Sequence, residues 1–342
     1  MTTIRYPWET PPENGEMIEI AEGVHWLRLP LPMKLDHVNI YVLDDGDGWT
    51  LIDTGMKSRR VQAMWQAVLD GPLRGKPVKR VVATHHHPDH IGFHGWFVEE
   101  FGAEYVSTQV AYLMGRMLTM DIQERYTEGQ IEFYRRAGMR ADLLAARQDE
   151  RPFNFSDIVH PIPIGFTRIE EGDVIEMGGR SWDVRVDHGH APDHATFWSR
   201  DDNLVLCGDQ VIASISSNIG VYPTEPDANP LADWLDSCAR LQNFARADHL
   251  ALPGHKLPFV GMPLRLRQLE ENHHGALTRL RADLKTPKTA GEVMMAVFKR
   301  QIGDGEYGLG LVEALAHCNY LWHAGEVTRS LHQDGAYRWV MN

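Results

Sequence analysis

The sequence predicts an α/β layered domain followed by a small, mainly helical domain. Short strand-like runs alternate with helical segments from about residue 17 to residue 262, and this mixture is typical of layered α/β domains. After Pro263, apolar residues recur every three or four positions, which indicates a helix with one buried face. A chain of 342 residues is long enough for one large domain and a small one.

Apolar runs bounded by turn residues predict the strands of the first domain. They fall at 24–29, 38–43, 49–52, 78–83, 181–186, 204–207 and 249–252. The sequence Asp-Asp-Gly-Asp-Gly at 44–48 predicts a hairpin between the second and third runs. Ser58 is expected to cap a helix that stops at Gly71, because serine favours the N-cap and glycine the position after a helix.

Two further segments are helical in pattern. Residues 108–150 are rich in Met and aromatic side chains, and we interpret them as a helical insertion that covers the active site; ordinary helix packing is the alternative. At the C-terminus, two more helices at 289–299 and 309–323 precede strand-like runs at 325–329 and 337–341. Three helices and a hairpin predict a winged-helix-like domain over 263–342.

Composition argues against several functional classes. The formal net charge of -13 repels phosphate backbones, and the basic residues between 265 and 288 are interspersed with acidic ones. We therefore expect no nucleic-acid partner. Three well-separated cysteines indicate no disulfide framework. No signal-like or membrane-spanning run is evident, so a cytoplasmic location without membrane association is expected.

The strongest functional signal is a cluster of metal-binding residue types. His85, His87, Asp89 and His90 fall within six positions, in Ala-Thr-His-His-His-Pro-Asp-His-Ile-Gly directly after an apolar run. Imidazole and carboxylate are common ligands of Zn²⁺ and similar ions. A solvent-exposed histidine run is the alternative, but chance would give this spacing in only about one chain in three hundred of this composition.

Four more segments repeat one pattern, in which an apolar strand and a glycine-containing turn accompany a polar residue. These residues are Asp53, His190, Asp209 and His255. Side chains that follow neighbouring strands meet at one edge of a sheet, where α/β proteins commonly place their sites. Asp53 also has a structural interpretation, because Asp-Thr-Gly is frequent in turns.

With these motifs the chain resembles the metallo-β-lactamase fold family of hydrolases. The resemblance extends from about residue 17 to residue 262 and implies an αββα sandwich. The pattern His-x-His-x-Asp-His, with a later His, Asp and His in that order, is highly specific for the fold and poorly specific for the substrate. The tail from residue 263 resembles the winged-helix domain of one hydrolase branch, which includes nucleases and thioesterases.

The resemblance implies a role for each candidate ligand. One metal ion would be held by His85, His87 and His190, and a second by Asp89, His90 and His255, with Asp209 bridging. Asp53 would orient ligands by hydrogen bonding. The family's usual Thr-Pro-Gly-His is replaced here by Asp-His-Gly-His at 187–190, so His188 is an alternative ligand. His194 is expected near the site without binding metal.

This ligand set predicts hydrolysis. Two divalent ions can share a water molecule and lower its pKa toward about 7, so that a metal-bound hydroxide attacks an ester-type bond. Zinc is the default ion, with iron or manganese as alternatives. Asp89 and Asp209 supply negative charge that retains the cations. The acid that protonates the leaving group is unassigned among His188, His194 and Tyr222.

The loop at 210–227 is dense in hydroxyl and amide groups. Its candidate substrate contacts are Ser214, Ser216, Asn218 and Tyr222, and a rigid structural loop is the alternative. Together with the apolar insertion, the loop favours a small-molecule substrate with polar and apolar ends, such as an acyl thioester or carboxylic ester. A lactonase, a nuclease, a non-catalytic metal-binding scaffold and an oxidoreductase that needs a flavin partner are competing hypotheses. The C-terminal helices are a candidate homodimer interface.

Overall fold

Two sheets form the centre of the molecule, and the computed structural model describes residues 3–342. The first sheet contains, in order, β1 (Met17–Ala21), β2 (Val24–Pro30), β3 (His37–Asp44), β4 (Trp49–Ile52), β5 (Val78–Val82), β6 (Glu104–Ser107) and β7 (Thr167–Arg168). Neighbours from β1 to β4 are antiparallel, and those from β4 to β7 are parallel. The predicted hairpin at 44–48 joins β3 and β4, and Gly46 adopts a φ of +84° in it.

The second sheet contains six of the described strands, again paired in chain order. Its strands are β8 (Val174–Met177), β9 (Arg180–Asp187), β10 (His194–Ser199), β11 (Leu204–Gly208), β12 (Leu250–Pro253) and β13 (Phe259–Val260). Only β11 and β12 pair in parallel among these described strands. The seven predicted runs all form strands, but β1, β6, β7, β8, β10 and β13 were not predicted. Four of these six have four residues or fewer, which is too short to show a clear alternation.

Helices cover the outer face of each sheet. The helices in the first part of the chain are α1 (Arg59–Asp70), α2 (Pro88–Ile91), α3 (His94–Phe101), α4 (Gln109–Met120), α5 (Glu128–Arg136), α6 (Ala141–Asp149), α7 (Phe155–Ile158) and α8 (Pro230–Gln242). Ser58 caps α1 as predicted. Trp65 of α1 and Phe97 of α3 pack outside the first sheet, and α8 packs outside the second. Trp26, Trp182 and Phe197 are fully buried between the sheets. The predicted αββα sandwich is confirmed.

The predicted insertion at 108–150 is helical and connects two parts of the molecule. Gly115 of α4 lies against the ligand segment, because a Cβ added there would stand 2.8 Å from Ile91 Cδ1 and 3.8 Å from His86 Cβ. Beyond α5, the backbone N–H of Arg140 donates to the hydroxyl of Tyr307, 3.1 Å away in the C-terminal part of the chain. The insertion therefore runs from the metal-binding motif to the C-terminal helices.

The C-terminal unit, residues 262–342, comprises α9 (Met262–Asp283), α10 (Met294–Phe298), α11 (Asp304–His323), β14 (Val327–Leu331) and β15 (Tyr337–Met341). α10 is shorter than the predicted helix, because Thr289 and Glu292 close a turn through reciprocal hydrogen bonds of 2.8 and 3.2 Å. The unit shares one apolar core with α8 and the second sheet. The element order is the predicted one; the winged-helix assignment and the boundary at 263 stay predictions. Within residues 3–342, no helix combines the length and apolar character needed to cross a bilayer.

Candidate metal centre

Both sheets end at a common edge where polar side chains collect. β4 and β5 lead into Asp53 and the segment 85–90, and β9, β11 and β12 lead into His190, Asp209 and His255. Because β4 is parallel to β5, and β11 to β12, the residues after these strands arrive at the same edge. The sheet topology thus brings together residues that are up to about 200 positions apart in the sequence.

The predicted ligands form three overlapping groups at this edge. The groups are His85, His87 and His190; His85, His90 and Asp209; and Asp89, His90 and His255. Within each group, one candidate ligand atom per residue lies within 4.8 Å of the others. Asp209 faces both sides of the site: its Oδ1 lies 3.5 Å from His90 Nε2, and its Oδ2 lies 3.5 Å from His190 Nε2. One carboxylate therefore joins the histidine groups.

Hydrogen bonds to oxygen atoms orient three of these histidines. The Nδ1 donors and their acceptors are His90 with Asp53 Oδ2 at 2.7 Å, His190 with the carbonyl of Asn218 at 2.9 Å, and His255 with the carbonyl of His37 at 2.7 Å. Since Nδ1 carries the hydrogen in each ring, Nε2 directs a lone pair toward the centre of the site. This is the tautomer of a metal-binding imidazole supported by an outer hydrogen bond.

Unpaired polar atoms show that the site suits a cation. The buried His90 Nε2, His190 Nε2 and Asp209 Oδ1 have no hydrogen-bond partner, whereas buried polar atoms are normally paired. Gly254 leaves the space beside them open, because a Cβ there would stand 2.4 Å from Asp209 Oδ1 and 2.7 Å from His90 Cε1. Imidazole nitrogen and carboxylate oxygen together suit divalent zinc, iron or manganese. The residues present fit divalent metal ions.

Asp53 anchors the ligands of the first sheet. Its Oδ1 accepts a hydrogen bond from the backbone N–H of Thr84 at 2.9 Å, and its Oδ2 accepts from the Thr84 hydroxyl at 2.8 Å and from His90. The same hydroxyl oxygen lies 3.0 Å from His85 Nδ1. Asp53 has a φ of +62°, a conformation that Asp tolerates better than most residues. These contacts link Asp53 to His90 directly and to His85 through Thr84; its role as a support of metal ligands stays a prediction.

The imidazole pKa values in the site shift in opposite directions, because burial lowers them and the neighbouring carboxylates raise them. Burial, together with the neighbouring imidazole of His90, holds the pKa of His85 well below its usual value. Burial opposes ionisation of Asp209, but His255 and His90 outweigh it and hold the pKa of Asp209 well below its usual range. Burial likewise lowers the pKa of His255, but the carboxylates of Asp209 and Asp89 raise it to about 10. The carboxylates therefore attract positive charge into this space.

Two predicted catalytic histidines lie beside the three ligand groups and belong to none of them. His194 is fully buried, its Nε2 accepts a hydrogen bond from the backbone N–H of Asp209 at 3.0 Å, and its ring stacks on His85 with centroids 4.7 Å apart. The His188 side chain is 48% exposed, and its Nδ1 accepts from the backbone N–H of Asp193 at 3.3 Å. His194 thus contacts the metal-binding residues directly, whereas His188 lies further out.

The four predicted substrate residues lie on the 210–227 loop beside the ligands. They are Ser214, Ser216, Asn218 and Tyr222. Two of them contact the C-terminal unit: Ser216 Oγ lies 3.2 Å from His273 Nε2, and Asn218 Nδ2 donates to Glu313 Oε2 at 2.8 Å. The other two side chains are exposed. The loop therefore combines structural contacts with groups that a ligand can reach.

Sequence reasoning missed several contacts that hold the ligands in place. The carbonyl groups that orient His190 and His255 belong to the main chain, so no residue type signals them. Asn39 also fixes the turn around His255, because its Nδ2 donates to the carbonyls of Pro253 at 2.9 Å and Lys256 at 2.7 Å. An amide within the otherwise apolar run of β3 was the one available signal, since a buried amide needs partners.

The layered fold and the candidate ligands at its edge are those of a metal-dependent hydrolase with an αββα core. A family profile described as "Metallo-beta-lactamase superfamily" matches residues 33–255. A second profile, "Metallo-beta-lactamase-like, C-terminal domain", matches residues 277–342. The chain therefore belongs to the metallo-beta-lactamase superfamily.

Whole-chain relatives support the same assignment. A Bacillus subtilis (strain 168) protein described as "Probable metallo-hydrolase YqjP" is 26% identical over 307 residues, covering 88% of this chain and 92% of the relative. The crystal structure of a beta-lactamase domain protein from Burkholderia ambifaria superposes with a TM-score of 0.91 at 34% identity, covering 99% of this chain and 98% of the other. For a metallo-beta-lactamase family protein from Thermus thermophilus, the TM-score is 0.79 at 28% identity, with 95% and 100% covered.

Proposed function

We propose that this protein hydrolyses an acyl thioester or carboxylic ester of a small molecule with the help of two divalent ions, zinc by default. The observation that carries the proposal is the position of Asp209 between the histidine groups. Its Oδ2 lies 3.5 Å from His190 Nε2 and 3.2 Å from His255 Nε2, while its Oδ1 faces His90. A single carboxylate that faces ligands on both sides favours two ions over one.

The ligand groups divide naturally between the two ions. His85, His87 and His190 would hold one ion, and Asp89, His90 and His255 would hold the other, with Asp209 shared. When bound, such ions supply the Lewis acidity that lowers the pKa of water and polarises an ester carbonyl. Asp53 and the carbonyls behind His190 and His255 keep the imidazole lone pairs aimed inward, so the ligands need little reorganisation.

The remaining polar groups suggest how protons are handled. The Asp89 side chain is 17% exposed, so its carboxylate can accept a hydrogen bond from an attacking water molecule. We assign His194 to positioning, because its Nε2 already accepts from Asp209 and its Nδ1 is buried. Tyr222 is 42% exposed, and its hydroxyl reaches to 3.5 Å from Asn218 Oδ1. We propose that Tyr222 donates a hydrogen bond to the leaving group.

One exposed apolar side chain on a helix that contacts the 210–227 loop favours an acyl substrate. Leu309 is 56% exposed, and its carbonyl accepts from Asn218 Nδ2 at 3.3 Å. Exposed apolar residues beside a polar centre suit a substrate with an apolar chain next to a reactive carbonyl. A lactone would present the same carbonyl chemistry, and the net charge of -13 disfavours nucleic acid.

Metal analysis combined with a substrate panel tests this proposal. We expect the purified protein to hydrolyse acyl thioesters or carboxylic esters, and we expect His87→Ala and Asp209→Asn to lose metal and activity together. His332→Ala is the control, because His332 lies on the exposed turn between β14 and β15 and belongs to none of the candidate ligand groups. Full activity of a metal-depleted variant would reject the mechanism.

The same panel separates the alternatives by substrate. It should contain acyl thioesters of increasing chain length, carboxylic esters, lactones and single-stranded RNA. Preference for lactones would narrow the proposal to a lactonase. RNA cleavage that disappears in His87→Ala, without ester hydrolysis, would replace the proposal with a nuclease.

A further inference from the structure

The 210–227 loop holds two of the candidate metal ligands. The Ser217 hydroxyl donates to the backbone carbonyl of Asp209, which fixes the start of the loop. The carbonyl of Asn218 accepts from His190 Nδ1 at 2.9 Å and so sets the orientation of that ring. Displacement of this loop would therefore move both His190 and Asp209, although neither residue belongs to the C-terminal unit.

Helix α11 holds the other side of the loop. The Asn218 side chain donates to Glu313 Oε2 at 2.8 Å and to the Leu309 carbonyl at 3.3 Å. The backbone N–H of Ile219 also lowers the pKa of the Glu313 carboxyl. Asn218 is thus fixed twice, with its carbonyl on His190 and its side chain on α11.

The second half of the 210–227 loop packs closely against α11. A Cβ added to Gly220 would stand 2.9 Å from Val312 Cγ2, and the backbone N–H of Val221 donates to the Val312 carbonyl at 3.1 Å. Further along, Asn319 Nδ2 donates to the carbonyl of Pro226 at 3.1 Å. The loop follows α11 for most of its second half, so its position depends on the helix.

Glu313 depends on the loop in return. Burial raises the pKa of its carboxyl to about 7, and the hydrogen bonds from Asn218 and Ile219 act in the opposite direction. Both of these donors belong to the loop. A carboxylate in a poorly solvated position needs such donors, so the pairing of Glu313 with the loop has an energetic basis on both sides.

We propose that Glu313 is a positioning residue of the metal centre, which acts through Asn218 to hold the His190 ring in its ligand orientation. The C-terminal unit is then a structural part of the site. This inference rests on the proposed role of His190 as a metal ligand. It predicts that a side chain in α11, which contacts no ligand, controls how tightly the metal is bound.

Metal affinity of the full-length protein tests this role. Glu313→Ala should weaken binding of the ion that His190 would hold by about tenfold, a typical cost of removing a residue that supports a metal ligand. Glu313→Gln should stay within about twofold of the wild type, because its amide oxygen can still accept from Asn218. Glu306→Ala is the matched control on the same helix, since Glu306 makes exposed ion pairs with Arg300 and Lys34.

Affinity is measured by chelator competition, and the absorption spectrum of the cobalt-loaded protein reports ligand geometry. We expect the spectrum to change in Glu313→Ala and not in Glu306→Ala. Asn218→Ala removes the other side of the contact and retains the backbone carbonyl. The double variant should be no weaker than either single variant, because the two residues act through one contact.

Unchanged affinity and an unchanged cobalt spectrum in both Glu313→Ala and Asn218→Ala would overturn the inference, and so would strictly additive losses. The metal-free unfolding temperature of each variant shows whether it folds, and Asn218→Ala supplies the test if Glu313→Ala does not. His190→Ala separates an error in the proposed ligand set from an error in the role of Glu313. If it binds metal like the wild type, the proposed ligand set itself is wrong.

Discussion

The Nδ1 of His90 lies 2.7 Å from Oδ2 of Asp53, and the same carboxylate accepts both the backbone N–H and the hydroxyl of Thr84. Both carboxylate oxygens of Asp53 therefore act as hydrogen-bond acceptors, and none of these contacts leaves room for a donor. Asp53→Asn keeps the shape and tolerates the φ of +62°, but it turns an NH₂ group toward one of these donors. We expect metal affinity to fall about 10- to 100-fold, as measured by chelator competition.

Asp45→Asn is the matched control for that substitution. Asp45 also accepts several hydrogen bonds, from Thr50 at 2.5 Å, Arg80 at 3.3 Å and the backbone of Gly178 at 2.6 Å, but it contacts none of the candidate ligands. The Asp45→Asn variant should have a lower unfolding temperature than the wild type and the same metal affinity. Equal affinity losses in both variants would show that the Asp53 effect is a general loss of stability.

Gly254→Ala should prevent metal binding by occupying space. The new methyl group would stand 2.4 Å from Asp209 Oδ1 and 2.7 Å from His90 Cε1, so it forces the ligands apart. We expect metal content, measured by elemental analysis, to drop to a small fraction of the wild-type value. Gly165→Ala serves as the control, because nothing lies within 4 Å of a Cβ there. Normal metal content in Gly254→Ala would mean that the ions lie elsewhere.

His194 should affect the metal through Asp209. His194→Ala removes the acceptor for the Asp209 backbone N–H, so we expect weaker metal binding and, once the metal is restored, an unchanged KM for the substrate. His249→Ala is a close control, since His249 Nδ1 likewise accepts a backbone N–H, from Arg246 at 3.1 Å, outside the site. If His194→Ala instead keeps wild-type metal affinity and loses turnover only for substrates with poor leaving groups, His194 acts as the general acid.

The acyl-binding hypothesis makes a chain-length prediction. Leu309→Ser should raise KM for long acyl chains about fivefold, equivalent to about 1 kcal/mol of lost apolar contact, and leave short-chain substrates nearly unchanged. Met295→Ser is the control, because Met295 is similarly exposed at 51% but lies on α10. A uniform change across chain lengths would remove Leu309 from the substrate contacts.

Acid should destabilise the packing of the C-terminal helices. Burial lowers the pKa of His273 to about 3 and, for His317, to about 4. In the unfolded chain both rings take up protons below about pH 6.5. The contribution of these two neutral histidines to the free energy of unfolding is therefore fully present above that pH and is lost as the pH falls toward about 4. His317→Gln should remove part of this dependence, on the order of 3 kcal/mol at most, in urea unfolding at pH 7.5 and 4.5. His332→Gln, at an exposed position, should leave the pH dependence unchanged.

The sequence signal for the candidate ligands is strong because most of it is local. His85, His87, Asp89 and His90 fall within six positions, and the later ligands follow strands with a strong apolar pattern. Short strands such as β7 and β13, with two residues each, carry no comparable pattern. They form because neighbouring strands offer them unpaired backbone groups, which is a property of the assembled sheet.

Contacts between residues that are far apart in the chain could not be predicted from the sequence either. Asn218 appears in the sequence as a polar loop residue, and its two roles, toward His190 and toward Glu313, depend on where α11 lies. Likewise, a main-chain carbonyl at His37 orients His255 across 218 positions. The sequence indicates which residues can bind metal, but the groups that hold them are defined only by tertiary packing.

The attachment of the 210–227 loop to α11 has a consequence for biosynthesis. The first candidate ligand, His85, leaves the ribosome more than 200 residues before Glu313, so a nascent chain displays several of its imidazoles long before the helix that steadies His190 exists. Ordered metal capture at the full site then has to wait until α11 has been synthesised and has packed against the loop.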